Sequence, residues 1–117
     1  GTDKAPKYIS WSRRNRSQLI RIPAAAGEYR RAELRSPDPM CNPYLAMALI
    51  INAGIEGVER GLKLVEPSMI NMFSASEALK TDYDILPKSL KSAADEALGS
   101  ELIKRCLPEE IIRGYCG

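Results

Sequence analysis

The sequence predicts an α+β fold, with short antiparallel strands in the first third and helices after them. Three short runs rich in aliphatic, aromatic or β-branched residues, bounded by prolines and polar turns, carry the strand half of this reading. An Asn-Pro pair opening a long apolar segment, and further stretches with helical spacing, carry the other half. Three short strands make a thin sheet, so they are expected to belong to a larger one.

Tyr8-Ile9-Ser10-Trp11 reads as the first strand, entered from Pro6, which favours an extended approach. Ser12 to Ser17 is polar and arginine-rich, a loop or turn. Leu19-Ile20-Arg21-Ile22 is the second strand and Pro23 stops it. A connection through Gly27 leads to a third strand from Tyr29 or Arg30 to Arg35, close enough in sequence to pair with the second as an antiparallel hairpin. Pro37 and Pro39 then hold the chain in a loop. Asn42 is a good N-cap and Pro43 suits the first helical position, where no donor is missed. That helix is expected to reach about Gly61. Its first turns (Tyr44, Leu45, Met47, Leu49, Ile50, Ile51) are apolar nearly all round, which predicts burial on most sides. Residues 65–84 read as loop with a short helical segment near Ser76–Lys80. Helices are expected over Pro87–Leu98, over Ser100–Arg105, and from Pro108 to Tyr115, where Glu109 and Glu110 favour the helix dipole.

Composition narrows the chemistry. With no histidine among 117 residues, a Ser-His or Cys-His nucleophile pair within the chain is excluded. Cys41, Cys106 and Cys116 are scattered, without the spacing of a structural zinc site, and fit free thiols in a reducing, cytoplasmic setting. No apolar run approaches the length of a bilayer span, and no signal-peptide pattern is present. The net charge of +2 hides an asymmetry: residues 1–35 hold 9 Lys and Arg against 3 Asp and Glu, giving +6, while residues 36–117 hold 8 against 12, giving −4. Anion-seeking chemistry therefore sits in the first third.

Its focus is Arg30-Arg31-Ala32-Glu33-Leu34-Arg35. In an extended segment Arg31, Glu33 and Arg35 share one face, and Arg21 on the neighbouring strand can join them. A carboxylate flanked by guanidinium groups suits a metal ion and a polyphosphate together. Taken singly, Glu33 is most simply an ion-pair partner for the arginines, and Arg13-Arg14-Asn15-Arg16 a solvated loop or nucleic-acid contact. RNA binding needs aromatic stacking partners, and only Tyr8 and Trp11 are near, so no nucleic-acid partner is expected.

The segments Asn15-Arg16-Ser17, Ile20-Arg21-Ile22-Pro23, Arg31-x-Glu33-x-Arg35-x-Pro37-Asp38-Pro39 and Asn42-Pro43-Tyr44-Leu45-Ala46, continued by Ala53-Gly54-Ile55-x-Gly57, resemble glutamine synthetase in order and spacing. The resemblance is close over residues 5–61. It is looser from 62 to 117, where Leu86-Pro87-x-Ser89-Leu90 and Leu107-Pro108-Glu109 look like the short-tailed bacterial members. It implies that residues 1–117 are a C-terminal fragment of the catalytic domain, 1–35 a strand-rich active-site wall and 36–117 helical. It also implies a cytoplasmic ligase, built in the whole protein as a homo-oligomer of stacked rings, acting on ATP, L-glutamate and ammonia with Mg²⁺ or Mn²⁺. ATP phosphorylates the glutamate side chain, and ammonia displaces phosphate from the γ-glutamyl phosphate. By position, Glu33 matches a metal ligand, and Arg16 an arginine touching both the transferred phosphate and glutamate. Arg35 matches a glutamate-binding arginine, and Arg21 and Arg31 arginines that hold ATP phosphates.

Three departures qualify this. The chain begins Gly1-Thr2-Asp3-Lys4-Ala5-Pro6 where the family has Gly-aromatic-Glu-Ala-Pro, so Lys4, or Asp3 with one inserted residue, replaces a glutamate that closes the site on the ammonia side. A family ligase using an organic amine is thus a live alternative, and a non-catalytic member of the family a second one. Asn71-Met72-Phe73 stands where adenylylated members carry a tyrosine, which argues against that regulation. The remaining metal ligands lie upstream in the family, so the 117-residue chain alone is expected to be inactive.

Overall fold

The computed structural model describes residues 4–80 and 82–117, with the backbone alone at residue 78. The chain forms two compact units. One runs up to Asp38 and takes in Val65–Leu86; the other combines Pro39–Leu64 with Pro87–Gly117. The architecture is α+β, as the sequence predicts.

The first unit holds three strands, β1 (Trp11–Arg13), β2 (Ile20–Ile22) and β3 (Glu33–Leu34), in the order β1-β2-β3. The expected antiparallel hairpin is present: β2 pairs with β3 in the register Ile20↔Leu34 and Arg21↔Glu33. The expectation of antiparallel strands is corrected for the other pair, since β1 and β2 run parallel, with Trp11 opposite Ile20 and Arg13 opposite Ile22. Parallel pairing ordinarily needs a long crossover. Here β1 is three residues long, roughly 10 Å, so the segment from Arg14 to Leu19 can carry the chain back to its start. Arg14 makes the reversal with a φ of 71°, while its N–H donates to Ile22 O at 3.1 Å.

The first strand also lies later than predicted. Ser12 and Arg13, read as loop, belong to β1. Residues 7–9 instead pair with 84–86 around an isolated Tyr8↔Ile85 bridge, with Ile9 N–H donating to Asp84 O and Leu86 N–H to Lys7 O, each at 2.8 Å. The third strand is shorter than expected because Gly27–Tyr29 forms a 3-10 turn, opened by Gly27 at a φ of 58°. Pairing nevertheless continues past β3, as Arg35 N–H donates to Leu19 O at 2.9 Å. The short helix expected near Ser76–Lys80 is α2 (Glu77–Lys80).

The interior of this unit is largely polar. Gln18, Ser12 and Ser68 are at most 2 % exposed, and Ser10 and Ser17 are buried beside the apolar Leu19 and Met72. Buried polar groups are stabilised by partners, and most of those present converge on the segment after Val65, while Ser10 Oγ and Gln18 Oε1 have none among the described residues. Asn15 Nδ2 and Gln18 Nε2 both donate to the Ile70 carbonyl, at 2.9 and 2.8 Å. Ser17 Oγ donates to Asn15 Oδ1 at 2.8 Å and accepts from Met72 N–H at 2.9 Å. Trp11 Nε1 donates to Val65 O at 2.7 Å.

The second unit is helical: α1 (Pro43–Glu59), α3 (Leu90–Gly99), α4 (Glu101–Cys106) and α5 (Glu109–Cys116), with α1 packed on α4 and α3 on α5. Each start has a local cause. Asn42 Oδ1 accepts from Tyr44 N–H at 2.9 Å and Leu45 N–H at 3.3 Å, with Pro43 leading the helix. Ser89 and Ser92 form a reciprocal capping box on α3, so that helix begins at Leu90 rather than at Pro87 as expected. Ser100 Oγ accepts from Ile103 N–H and opens α4. Arg105 on α4 reaches Glu56 on α1 at 2.6 Å. Burial of the first turns of α1 is not observed. Tyr44 is 85 % exposed, Met47 and Ile51 about half, and α1 has no fully buried residue. The reason is geometric: an apolar surface all round a helix needs neighbours on every side, and α4 covers one face.

Candidate active-site wall

β2 and β3 set the central charged pair. Opposed residues of an antiparallel pair place their side chains on one face, and Arg21 opposes Glu33. Arg21 donates to Glu33 Oε2 twice, from Nε at 2.8 Å and from Nη2 at 2.6 Å. Arg31 reaches the other oxygen, Oε1, with Nη2 at 3.4 Å, while its Nη1 donates to Tyr29 O at 3.3 Å. The pair is partly sheltered, with side-chain exposures of 17 % for Arg21 and 29 % for Glu33 against 55 % for Arg31. Hydrogen bonding to Arg21 holds the Glu33 carboxyl below its ordinary value; partial desolvation opposes this, and the charges of Arg21 and Arg31 reinforce it. Glu33 is therefore a carboxylate with both oxygens engaged.

Of the five residues singled out from sequence, Arg21, Arg31 and Glu33 come together. Arg35 reaches Lys4 instead: Nη2 donates to Lys4 O at 3.3 Å, and Nη1 is enclosed with no hydrogen-bond partner among the described residues. Arg16 is exposed, and its side chain makes no hydrogen bond or ion pair with any described residue. Its neighbours Asn15 and Ser17 do the anchoring, so the Asn-Arg-Ser loop is pinned on both sides of an outward-facing guanidinium.

Sequence reasoning missed a second feature. An open cleft of about 720 Å³ is lined by Arg13, Arg14, Arg30 and Arg31 together with Ile22, Pro23 and Ala24 to Ala26. The signal was present as the two Arg-Arg dipeptides, but the parallel pairing that sets Arg13 opposite Ile22 lies beyond sequence pattern.

The carboxylate at the centre of this cluster is Glu33, and Arg21 and Arg31 engage both of its oxygens, as an ion-pair partner of the arginines would be engaged. Glu33 is a hard, ionised carboxylate, the right chemistry for Mg²⁺. Among the described residues no group of three Asp, Glu, His or Cys side chains is placed to hold a metal. Glu33 could therefore supply at most one ligand to such an ion, through the lone pairs the arginines leave. No helix of the described residues is long and apolar enough to cross a membrane.

The described residues thus form a small α+β piece that presents paired guanidinium groups, an ionised carboxylate and a basic cleft. The family is specific. Residues 2–117 match the family model described as glutamine synthetase, catalytic domain, and the chain belongs to that family. It is similar to the protein named glutamine synthetase of Methanosarcina mazei, at 48 % identity over 96 % of this chain and 26 % of the relative. Proteins of the same name from Thermotoga maritima (42 %) and Methanococcus maripaludis (41 %) match over the same shares. The chain thus spans about a quarter of the length of these curated relatives.

Proposed function

We propose that this chain is the arginine-bearing wall, from the C-terminal part of the catalytic domain, of an ATP-dependent glutamate–ammonia ligase. The observation that carries the reading is the Arg21–Glu33–Arg31 cluster: two guanidinium groups and an ionised carboxylate held on one face by strand register. Family membership supports it. Activating a carboxylate with ATP assembles a triphosphate, an acyl phosphate and a second carboxylate in one place. Phosphoryl transfer of this kind is catalysed mainly by positioning and electrostatics.

In this reading Arg31, and Arg21 through the Nη1 that Glu33 does not engage, donate to ATP phosphate oxygens. Arg16, projecting from its pinned loop, meets the transferred phosphate and glutamate. Arg35 binds glutamate. Glu33 supplies one ligand to a Mg²⁺ or Mn²⁺ ion, which when bound offsets charge on the phosphates. The other ligands come from the rest of a cytoplasmic, ring-forming homo-oligomer, so the 117-residue chain forms no glutamine by itself.

The test is glutamine formation by the complete polypeptide carrying this chain, with ammonium and with polyamines, beside the isolated chain. Ammonium-dependent product from the complete polypeptide alone is expected. Product from the isolated chain overturns the fragment reading, and absence of product from the complete polypeptide with either amine overturns the ligase reading. A second acceptor is favoured by the sequence: Lys4, or Asp3 with one inserted residue, stands where the family has its ammonia-side glutamate. Asp3, the other candidate there, lies outside the described residues. A preference for polyamine over ammonium selects that variant.

A further inference from the structure

An arginine that meets a transferred phosphate is useful only if the loop carrying it holds one direction. For Arg16 that direction is set by a segment more than fifty residues away in sequence. Asn15 Oδ1 accepts from Ser17 N–H at 2.9 Å and from Ser17 Oγ at 2.8 Å, which closes an Asx turn across Arg16. The turn is tied at two points: Asn15 Nδ2 donates to Ile70 O, and Met72 N–H donates to Ser17 Oγ, each at 2.9 Å. Gln18, with no exposed surface, brings a second amide to the Ile70 carbonyl, its Nε2 donating at 2.8 Å.

The receiving segment is itself held. Ile70 N–H donates to Ser68 Oγ at 3.3 Å, and Tyr83 Oη donates to the same oxygen at 3.1 Å. Ser68 N–H donates to Trp11 O on β1 at 2.8 Å. Gln18, Ser17, Ser68 and Met72 are all buried. Chain added elsewhere in the complete polypeptide can only bury them further. A loop that merely needed covering would be served by apolar residues, whereas two amides on one carbonyl admit few geometries. We propose that Gln18, Ser17 and residues 68–72 form the positioning element for Arg16, with the Ile70 carbonyl as its anchor. They act through Arg16 rather than on substrate. This rests on the ligase reading and deepens it: Arg21 and Arg31 are held by the β2–β3 pairing and Glu33, so the anchor governs Arg16 and not the arginines assigned to ATP.

The test is a double-mutant cycle on the complete polypeptide, read as glutamate-dependent release of phosphate from ATP. Gln18→Leu removes the Nε2 donor and should lower kcat on the order of 100-fold, with KM for ATP changed by less than about twofold. Ser17→Ala cuts the link to Met72 and should lower kcat about tenfold; it decides the matter where Gln18→Leu does not fold. In an Arg16→Gln background neither substitution should change kcat by more than about twofold, because the group they position is gone. Equal losses with and without Arg16 mark general structural damage and overturn the proposal. A kcat near wild type in both single variants, or a raised KM for ATP with kcat unchanged, also overturns it. Those outcomes in an active enzyme leave the ligase reading standing. A wild-type polypeptide without glutamate-dependent phosphate release sinks that reading and the positioning role together.

Discussion

The strand-bearing unit and the helical unit are held by opposite means. In the first, buried polar side chains converge on a few backbone groups: Asn15 and Gln18 on the Ile70 carbonyl, and Ser17 on Met72 N–H. In the second, each helix is set by its own cap, at Asn42, Ser89 and Ser100, and Ile112 is the buried apolar residue. A polar interior is directional: each hydrogen bond accepts few geometries, whereas apolar contact accepts many. The difference teaches where precision is placed. The loop bearing Arg16 and the sheet bearing Arg21 and Glu33 are fixed by directional bonds, while the helices leave wide apolar surfaces to be covered.

The largest expected break in this contrast is Gln18→Leu. It removes a fully buried donor to Ile70 O, and the penalty of about 1–3 kcal/mol for a lost buried hydrogen bond should speed exchange of the Ser17 and Met72 amides roughly 10–100-fold. Unchanged protection would show that the polar interior does not hold the loop. Smaller, and confined to the helical unit, is Asn42→Ala. Loss of the cap costs about 1 kcal/mol, so the Tyr44 and Leu45 amides should exchange several-fold faster while those of β2 do not respond.

Acid separates the units further. Hydrogen bonding to Arg21 holds the Glu33 carboxyl below the usual carboxylate range in the folded protein, so its contribution is present above the unfolded pKa and is lost as pH falls through the folded one. Protection of the β2 amides should therefore decline below about pH 4.5. Glu33→Gln should flatten that decline, and an equally steep decline in the variant would remove Glu33 as its source. The smallest effect is expected at the exposed Lys91–Asp95 pair on α3. Lys91→Ala should change stability by no more than about 0.5 kcal/mol in thermal unfolding.

What could be read from sequence follows the same divide. The helical unit was legible because its determinants are local: Asn42-Pro43 names the start of α1, and apolar spacing names α3 to α5. Its burial was misread because periodicity reports an apolar surface without reporting whether a neighbour is present. In the strand unit, the β2–β3 hairpin and the Arg21, Arg31 and Glu33 face were legible, since alternation and a short connection define them. The pairing of residues 7–9 with 84–86 was not, nor the capture of the Arg16 loop by Ile70 and Met72. Those contacts span more than fifty residues, and serines and a glutamine carry no sequence signal of burial. The Arg13-Arg14 dipeptide read as solvated loop for another reason: the parallel pairing that sets Arg13 opposite Ile22 leaves no mark in the sequence.

The central claim is that the Arg21–Glu33–Arg31 face belongs to a site that activates glutamate with ATP. Its most direct test is glutamate-dependent release of phosphate from ATP by the complete polypeptide, wild type against Glu33→Gln. A fall of about a thousandfold or more, with circular dichroism unchanged, is the expected result. Near-normal phosphate release by the variant would contradict the account.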